Sequence, residues 1–408
     1  MHELVGALRP YAWGSRTALA QLCGRPVPSA HPEAELWFGA HPADPAHLRL
    51  PHATRSLLEH LSADPDRELG SAATEFGGKL PFLLKILAAE EPLSLQAHPS
   101  LEQARAGWER ENRARVPLDS PMRNYRDDNH KPELVVALDR FEALAGFRDP
   151  RRTVALLRAL DVPALVPYAD LLAAQPDSAG LRTLFTTWIT LPQHVLESLL
   201  PAVLDGCVRY LHGRGDRPFL PEVRTALELA EAYPGDAGVL AALLLNRLTL
   251  EPGQGLFLAA GNLHAYLRGL GVEIMANSDN VLRGGLTPKH VDVPELLRVL
   301  DFEPIDLPVV LPEYAADGSL RYHTPAPEFA LRRVDLRAGD ELPLTAAGPG
   351  IVLCTAGTVL LCQDDDELLL ERGAAAWISA SDTEIRARAI DGAAQVFCAC
   401  VGADPATS

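Results

Sequence analysis

The sequence predicts a mainly β protein interrupted by an α-helical insert, and three patterns predict it. Short apolar runs bounded by turn residues fill the first 150 residues. Helical periodicity takes over from about 150 to 250, and strand-sized segments return from 251 onward.

In the first part, residues 80–87, 93–96 and 133–138 are apolar runs of strand length set between Gly- and Pro-punctuated loops, and they read as buried strands. In the middle part, Val223, Ala226, Leu227 and Ala230 recur at the spacing of one helical face. Asp149-Pro150, Pro192 and Pro221 stand where helices begin. Residues 251–255, Glu-Pro-Gly-Gln-Gly, return the chain to strands at 256–258 and 272–275, so the insert interrupts a β unit. Five prolines between 304 and 327 mark an extended connector. Strand-sized segments then recur at 328–335, 350–355, 358–362, 367–371, 374–379, 383–388 and 394–401, the spacing of a sandwich or barrel. The polar residues 402–408 are expected to fray. Three units follow: residues 1–150 with 251–303, a helical insert at 151–250, and a C-terminal β unit at 304–408.

Composition narrows the function. A chain of 408 residues has room for sizeable cores, and 37 Lys plus Arg against 54 Asp plus Glu give 37 − 54 = −17. That balance disfavours nucleic acid and anionic membrane surfaces as partners. No stretch is apolar enough to span a bilayer, and the N-terminal residues lack a basic-then-apolar leader pattern, so a cytoplasmic location is expected. The 6 cysteines are scattered without a CxxC pair and read as reduced thiols, Cys398 and Cys400 included. Gly253-Gln254-Gly255 leads into a strand and is a weak phosphate cradle.

Chemistry concentrates in four places. Ser94, Gln96 and His98 alternate along a strand, so they share one face. By itself a buried His bonded to backbone is the commoner reading. Pro132 favours an extended Lys131, which places Lys131 and Glu133 on a common face. Glu133 opens an apolar run, so its carboxylate needs a cation or a metal beside it. His264 lies in a Gly-Asn turn leading to a strand, with Tyr266 on its face. Two imidazoles, one carboxylate and one amide oxygen, from Gln96, His98, Glu133 and His264, suit catalytic Zn²⁺; Mn, Fe or Co could take the same set. Residues 271–289 gather Glu273, Asp279, Arg283 and Lys289 among glycines, as a pocket lining would.

SLQAHP at 94–99, DDNHKPEL at 127–134, AGNLHAY at 260–266 and EIMANSDNVLRGGLTPKHVDV at 273–293 resemble the motifs of the type I mannose-6-phosphate isomerase family. YAWGS at 11–15, EAELWFG at 33–39 and LPFLLK at 80–85 resemble it too, so the similarity covers about 8–305. The resemblance implies a cupin (jelly-roll β-barrel) catalytic domain carrying a helical insert, a second cupin-like β domain at the C-terminus, and one zinc per chain. It implies zinc ligands at Gln96, His98, Glu133 and His264, and an active-site arginine at Arg283.

The implied reaction interconverts mannose 6-phosphate and fructose 6-phosphate through a cis-enediol, serving sugar-nucleotide synthesis or glycolysis. Lys131, His130, Glu273 and Asp279 are the candidate proton carriers. Lys85, Ser94, Tyr266 and Lys289 are the candidate substrate contacts. The expected partner is a small phosphosugar, and the chain is read as a monomer with an oligomer left open. Two rivals carry different chemistry: a non-catalytic zinc-stabilised sugar-phosphate sensor, and an iron-dependent oxygenase of the same fold.

Overall fold

The computed structural model describes residues 1–306, 309–344, 348–382 and 384–402. The frayed tail expected beyond Gly402 therefore lies outside the described residues.

The expected alternation of strands, helices and strands is present. Its organising element is one long strand, His264–Ala276. The second half of this strand pairs with Phe82–Ala89 on one side and Glu133–Ala137 on the other. Glu35–Gly39 and Ala7–Arg9 continue that sheet beyond Phe82–Ala89. Its first half instead pairs with Phe141–Phe147, and through His264 with Leu95–Ala97. Gly269 sits between the halves with φ of +133°, where a Cβ would come within 2.8 Å of Phe141 backbone. Only glycine turns this corner, and the turn folds one sheet into two facing halves.

Alternation decides what each half presents. On the second half, Leu84, Ile86, Leu134, Val136, Val272 and Ile274 are buried outward in a core shared with a second, 9-stranded sheet. The intervening Lys85, Glu133, Glu273 and Met275 therefore face inward. On the first half, Leu95, Ala97, Ala265 and Leu282 are buried outward in the core of the helical insert. Gln96, His264 and Arg283 thus share the opposite face. Covering both outer faces with apolar packing leaves the polar residues aimed at the space between.

Helices start where the sequence placed their starts. Asp149 accepts a hydrogen bond from the Arg152 backbone N–H at the start of Pro150–Ala159, Pro192 caps Gln193–His212, and Pro221 lies in the first turn of Leu220–Ala232. The insert's helices end at Ala242, and Leu245–Leu250 is a strand paired with Phe141–Phe147 rather than the helix expected up to 250. The unbroken leucine run at 243–245 hides that switch, because a short apolar run has no period. The first 150 residues also hold helices the sequence reading passed over. Leu101–Arg113 is the longest of them, and its Ser100–Gln103 capping box was the available signal.

The strands expected after 328 form at Ala330–Leu336, Gly350–Ala356, Val359–Gln363, Asp366–Leu370, Ala375–Ile378, Arg386–Ala389 and Ala394–Cys400. His2–Val5 pairs with Ala375–Ile378, and His47–Leu50 and Ala53–Ser56 extend that same sheet. The N-terminal segment thus completes the C-terminal sheet, a pairing no local pattern announces. The six cysteines are free, and no helix among the described residues is long and apolar enough to cross a membrane.

Candidate metal centre

Glu133, His98 and His264 converge between the two sheet halves. Glu133 Oε2 lies 3.4 Å from His98 Nε2 and 3.5 Å from His264 Nε2, and all three residues are buried. Donors held at 2.0–2.2 Å from one ion at tetrahedral angles are about 3.4 Å apart, so the spacing fits zinc. His98 lies just past the strand Leu95–Ala97, and its Nδ1–H donates to the Asn280 carbonyl at 2.7 Å. His264 Nδ1–H donates to the Asn262 carbonyl at 3.0 Å. Both rings are thereby fixed with Nε2 unprotonated and aimed inward, the second-shell arrangement of metal-bound histidine. His98 Nε2 is buried without a hydrogen-bond partner, a cost that a bound metal would remove. The fourth expected ligand, Gln96, stands directly across from His264 in the strand register, with Arg283 across from it on the other side. Directly opposed residues share a face, so Gln96 belongs to the same row.

Charge around the centre is ordered in three groups. Lys131 Nζ is 3.2 Å from Glu133 Oε1. Burial works to raise the Glu133 carboxyl, yet the Lys131 ammonium beside it holds it well below the usual carboxylate range.

The second group is deeper. Lys85 Nζ lies 3.1 Å from Glu273 Oε2 and 3.6 Å from Glu35 Oε1, over the Trp37 ring. Tyr266 OH donates to Glu273 Oε1 at 2.8 Å, and Trp37 Nε1 donates to Glu35 at 2.7 Å. Burial opposes the Lys85 charge, but Glu273, Glu35 and Glu133 overcome it and raise its pKa. Lys85, expected at the phosphate, has its charge matched by two carboxylates, and Tyr266 is buried against Glu273.

The third group is cationic. Arg283 makes no ion pair among the described residues, and its Nε is buried and unbonded. Burial and the field of Arg126 push its pKa down, and Lys289 is pushed down chiefly by Arg283, then by burial and Arg126. The field of Arg126 thus acts on both Arg283 and Lys289, and a cluster of cations of this kind is suited to an anion.

The loops carrying these groups are locked by Asn280, which is fully buried. Its side-chain carbonyl accepts from the Arg126 and Asp127 backbone N–H groups, and its Nδ2 donates to the Asp127 and Asn129 carbonyls. Asp127 in turn accepts from Ser278 Oγ and the Asp279 N–H. Sequence reading missed Asn280 and Asp127 as a pair, although both fall inside the quoted motifs.

Of the remaining candidates, Asp279 is half-exposed and 3.5 Å from His41 Nε2, while His130 Nε2 meets Glu328 at 2.5 Å. Ser94 is half-buried beside Leu95–Ala97. A cavity of about 560 Å³ lined by His41, Arg126, Asp127, Asn129, Asp279 and Glu328 adjoins these groups. A second one, about 460 Å³, is lined by Glu90, Glu91, Glu142, Glu228 and Glu231 and would repel a phosphate.

A buried two-histidine, one-carboxylate centre set in a folded β-sheet beside an anion site defines a mononuclear metal site of the enzymatic kind. The chain belongs to the type I phosphomannose isomerase family. Residues 1–150 match phosphomannose isomerase type I, catalytic domain. The chain is 37% identical over 403 residues to mannose-6-phosphate isomerase of Escherichia coli K12, covering 97% of this chain and 99% of that one. It is 32% identical over 404 residues to the human mannose-6-phosphate isomerase, covering 92% and 93%. A zinc-bound crystal structure of mannose 6-phosphate isomerase superposes with a TM-score of 0.88 at 35% identity, covering 98% and 99%. A mutant of phosphomannose isomerase from Salmonella typhimurium superposes at 0.90 with 34% identity, covering 99% and 100%.

Proposed function

We propose that this chain is a zinc-dependent aldose–ketose isomerase interconverting mannose 6-phosphate and fructose 6-phosphate. The observation that carries the reading is the buried His98 Nε2 facing Glu133 and His264 with no hydrogen-bond partner among the described residues, beside the cations Arg126, Arg283 and Lys289, which make no ion pair among those residues. Gln96, His98, Glu133 and His264 would hold the zinc, which supplies a Lewis acid for the sugar's C1 and C2 oxygens. The folded sheet is read as the jelly-roll of the cupin superfamily. Six unpaired cysteines support a reducing, cytoplasmic setting.

Arg283 and Lys289, with Arg126, receive the dianionic phosphate or the negative charge developing on the enediol oxygens. Lys131, in contact with a ligand carboxylate, is placed to donate a proton to a sugar oxygen. The proton leaving C2 and returning to C1 needs a base; Asp279 lines the cavity, and His130 lies behind its wall against Glu328. Glu273 is the counter-charge of Lys85 and holds Tyr266 in place. The test is a coupled assay of mannose 6-phosphate on zinc-quantified protein, with glucose 6-phosphate as control and a chelated sample alongside. Isomerisation of the mannose phosphate alone, lost on chelation and restored by Zn²⁺, is expected. Full activity in verified metal-free protein would refute the metal's part.

A further inference from the structure

Glu328 belongs to none of the quoted motifs and comes from the C-terminal β unit, yet it meets a residue of the 127–134 motif. Its Oε1 lies 2.5 Å from His130 Nε2. The side chain is only 10% exposed, so this is no loose surface ion pair. A carboxylate accepts and does not donate, so Nε2 carries the proton and the lone pair of the neutral ring falls on Nδ1. No protein group among the described residues bonds that Nδ1. The His130 backbone N–H donates to Asn129 Oδ1, and the next residue, Lys131, reaches Glu133 Oε1 at 3.2 Å.

Glu328 itself is held firmly. Ala326 and Phe329 on either side of it are buried in the core shared by the two sheets. Its second oxygen is buried without a partner, and the residue forms part of the 560 Å³ cavity wall with His41, Arg126 and Asp279. Leaving a buried carboxylate oxygen unbonded costs free energy that a structural ion pair would not need to bear.

We propose that Glu328 is a positioning residue: the C-terminal β unit delivers it to the wall of the cavity that Arg126 and Asp279 also line, where it fixes the tautomer and orientation of His130 for acid–base work on the sugar. This rests on the isomerase reading above, and it gives the C-terminal sheet a part in the site. His130 would exchange protons with the sugar through Nδ1, while Glu328 stabilises the imidazolium so formed.

The test is a double-mutant cycle on zinc-loaded protein, using Glu328→Gln, His130→Gln and the pair, with mannose 6-phosphate as substrate. Glu328→Gln is expected to lower kcat/KM by about 10- to 100-fold with zinc content unchanged, and to cost nothing further once His130 is Gln. Activity within twofold of the parent, or equal losses in both backgrounds, overturns the proposal. Nitrogen-15 spectra of His130 without substrate should show the Nε2–H form in the parent and a tautomer mixture in Glu328→Gln. An unchanged tautomer overturns the positioning even if the chain proves inactive on mannose 6-phosphate, a result that would sink the isomerase reading instead. Should Glu328→Gln not fold, Glu328→Asp, which withdraws the carboxylate by one methylene, is run through the same cycle with the same two outcomes.

Discussion

Replacing Glu273 with Gln tests whether the charges facing the metal centre stabilise the fold as the geometry implies. Glu273 Oε2 is 3.1 Å from Lys85 Nζ and both groups are buried, so an effective dielectric of about 20 gives a gross attraction of about 5 kcal/mol. Glu35, 3.6 Å from the same ammonium, survives the change and retains part of the compensation. The Gln amide cannot replace what is lost. Its one oxygen can face Tyr266 OH or Lys85, and whichever it faces, its NH₂ meets a donor. Breaking one partner from a buried pair costs roughly 3–5 kcal/mol, and the remaining Glu35 places the expectation at about 3 kcal/mol. Hydrogen exchange at the amides of Phe82–Ala89 reads this locally, and protection there should fall about 100-fold. Adding Lys85→Met should recover much of it, because the unpaired ammonium is then gone. A fall under about fivefold, near 1 kcal/mol, would refute the account of Lys85 as a cation held by carboxylates.

Arg283→Ala is expected to lower turnover by about 10²- to 10³-fold with zinc content near one per chain, since Arg283 opposes Gln96 in the sheet but makes no ion pair among the described residues; unaltered turnover would remove it from catalysis. Far from the centre, burial works against the Asp317 charge, but the Ser319 hydroxyl and N–H, with Arg321, bring its carboxyl down to about 2 from an ordinary 3.8. A depressed carboxyl adds stability above its unfolded value, lost as the pH falls through the folded one. Exchange at the Ser319 and Arg321 amides should therefore accelerate between about pH 4 and pH 2. Asp317→Asn should flatten that dependence, and an unchanged profile would disprove the assignment.

What the sequence disclosed of the fold divides by the range of the forces involved. Helix starts were legible because Asp149 and Pro150 act on their own neighbours, and the C-terminal strands were legible because their apolar runs are bounded by turns. The joining of His2–Val5 to Ala375–Ile378 was not, since a strand four residues long carries no mark of its distant partner. The Leu245–Leu250 strand was lost for another reason: a leucine run next to a helix is compatible with either period.

The site was legible in donor types and only partly in roles. The sequence grouped Glu273 with Asp279, Arg283 and Lys289 as a pocket lining, and Glu273 does face inward, but no sequence pattern states which inward cation finds a carboxylate. Lys85, a candidate substrate contact, and Arg283, the implied active-site arginine, read alike as cations within the matched motifs. Register separates them: Lys85 stands opposite Glu273, and Arg283 opposite the uncharged Gln96. A buried cation beside two carboxylates has little field left for a substrate, whereas one beside further cations is unsatisfied until an anion arrives. In a chain of net charge −17 such a cluster would draw the proposed phosphosugar inward, and the facing pairs of two strands decide which cation belongs to it.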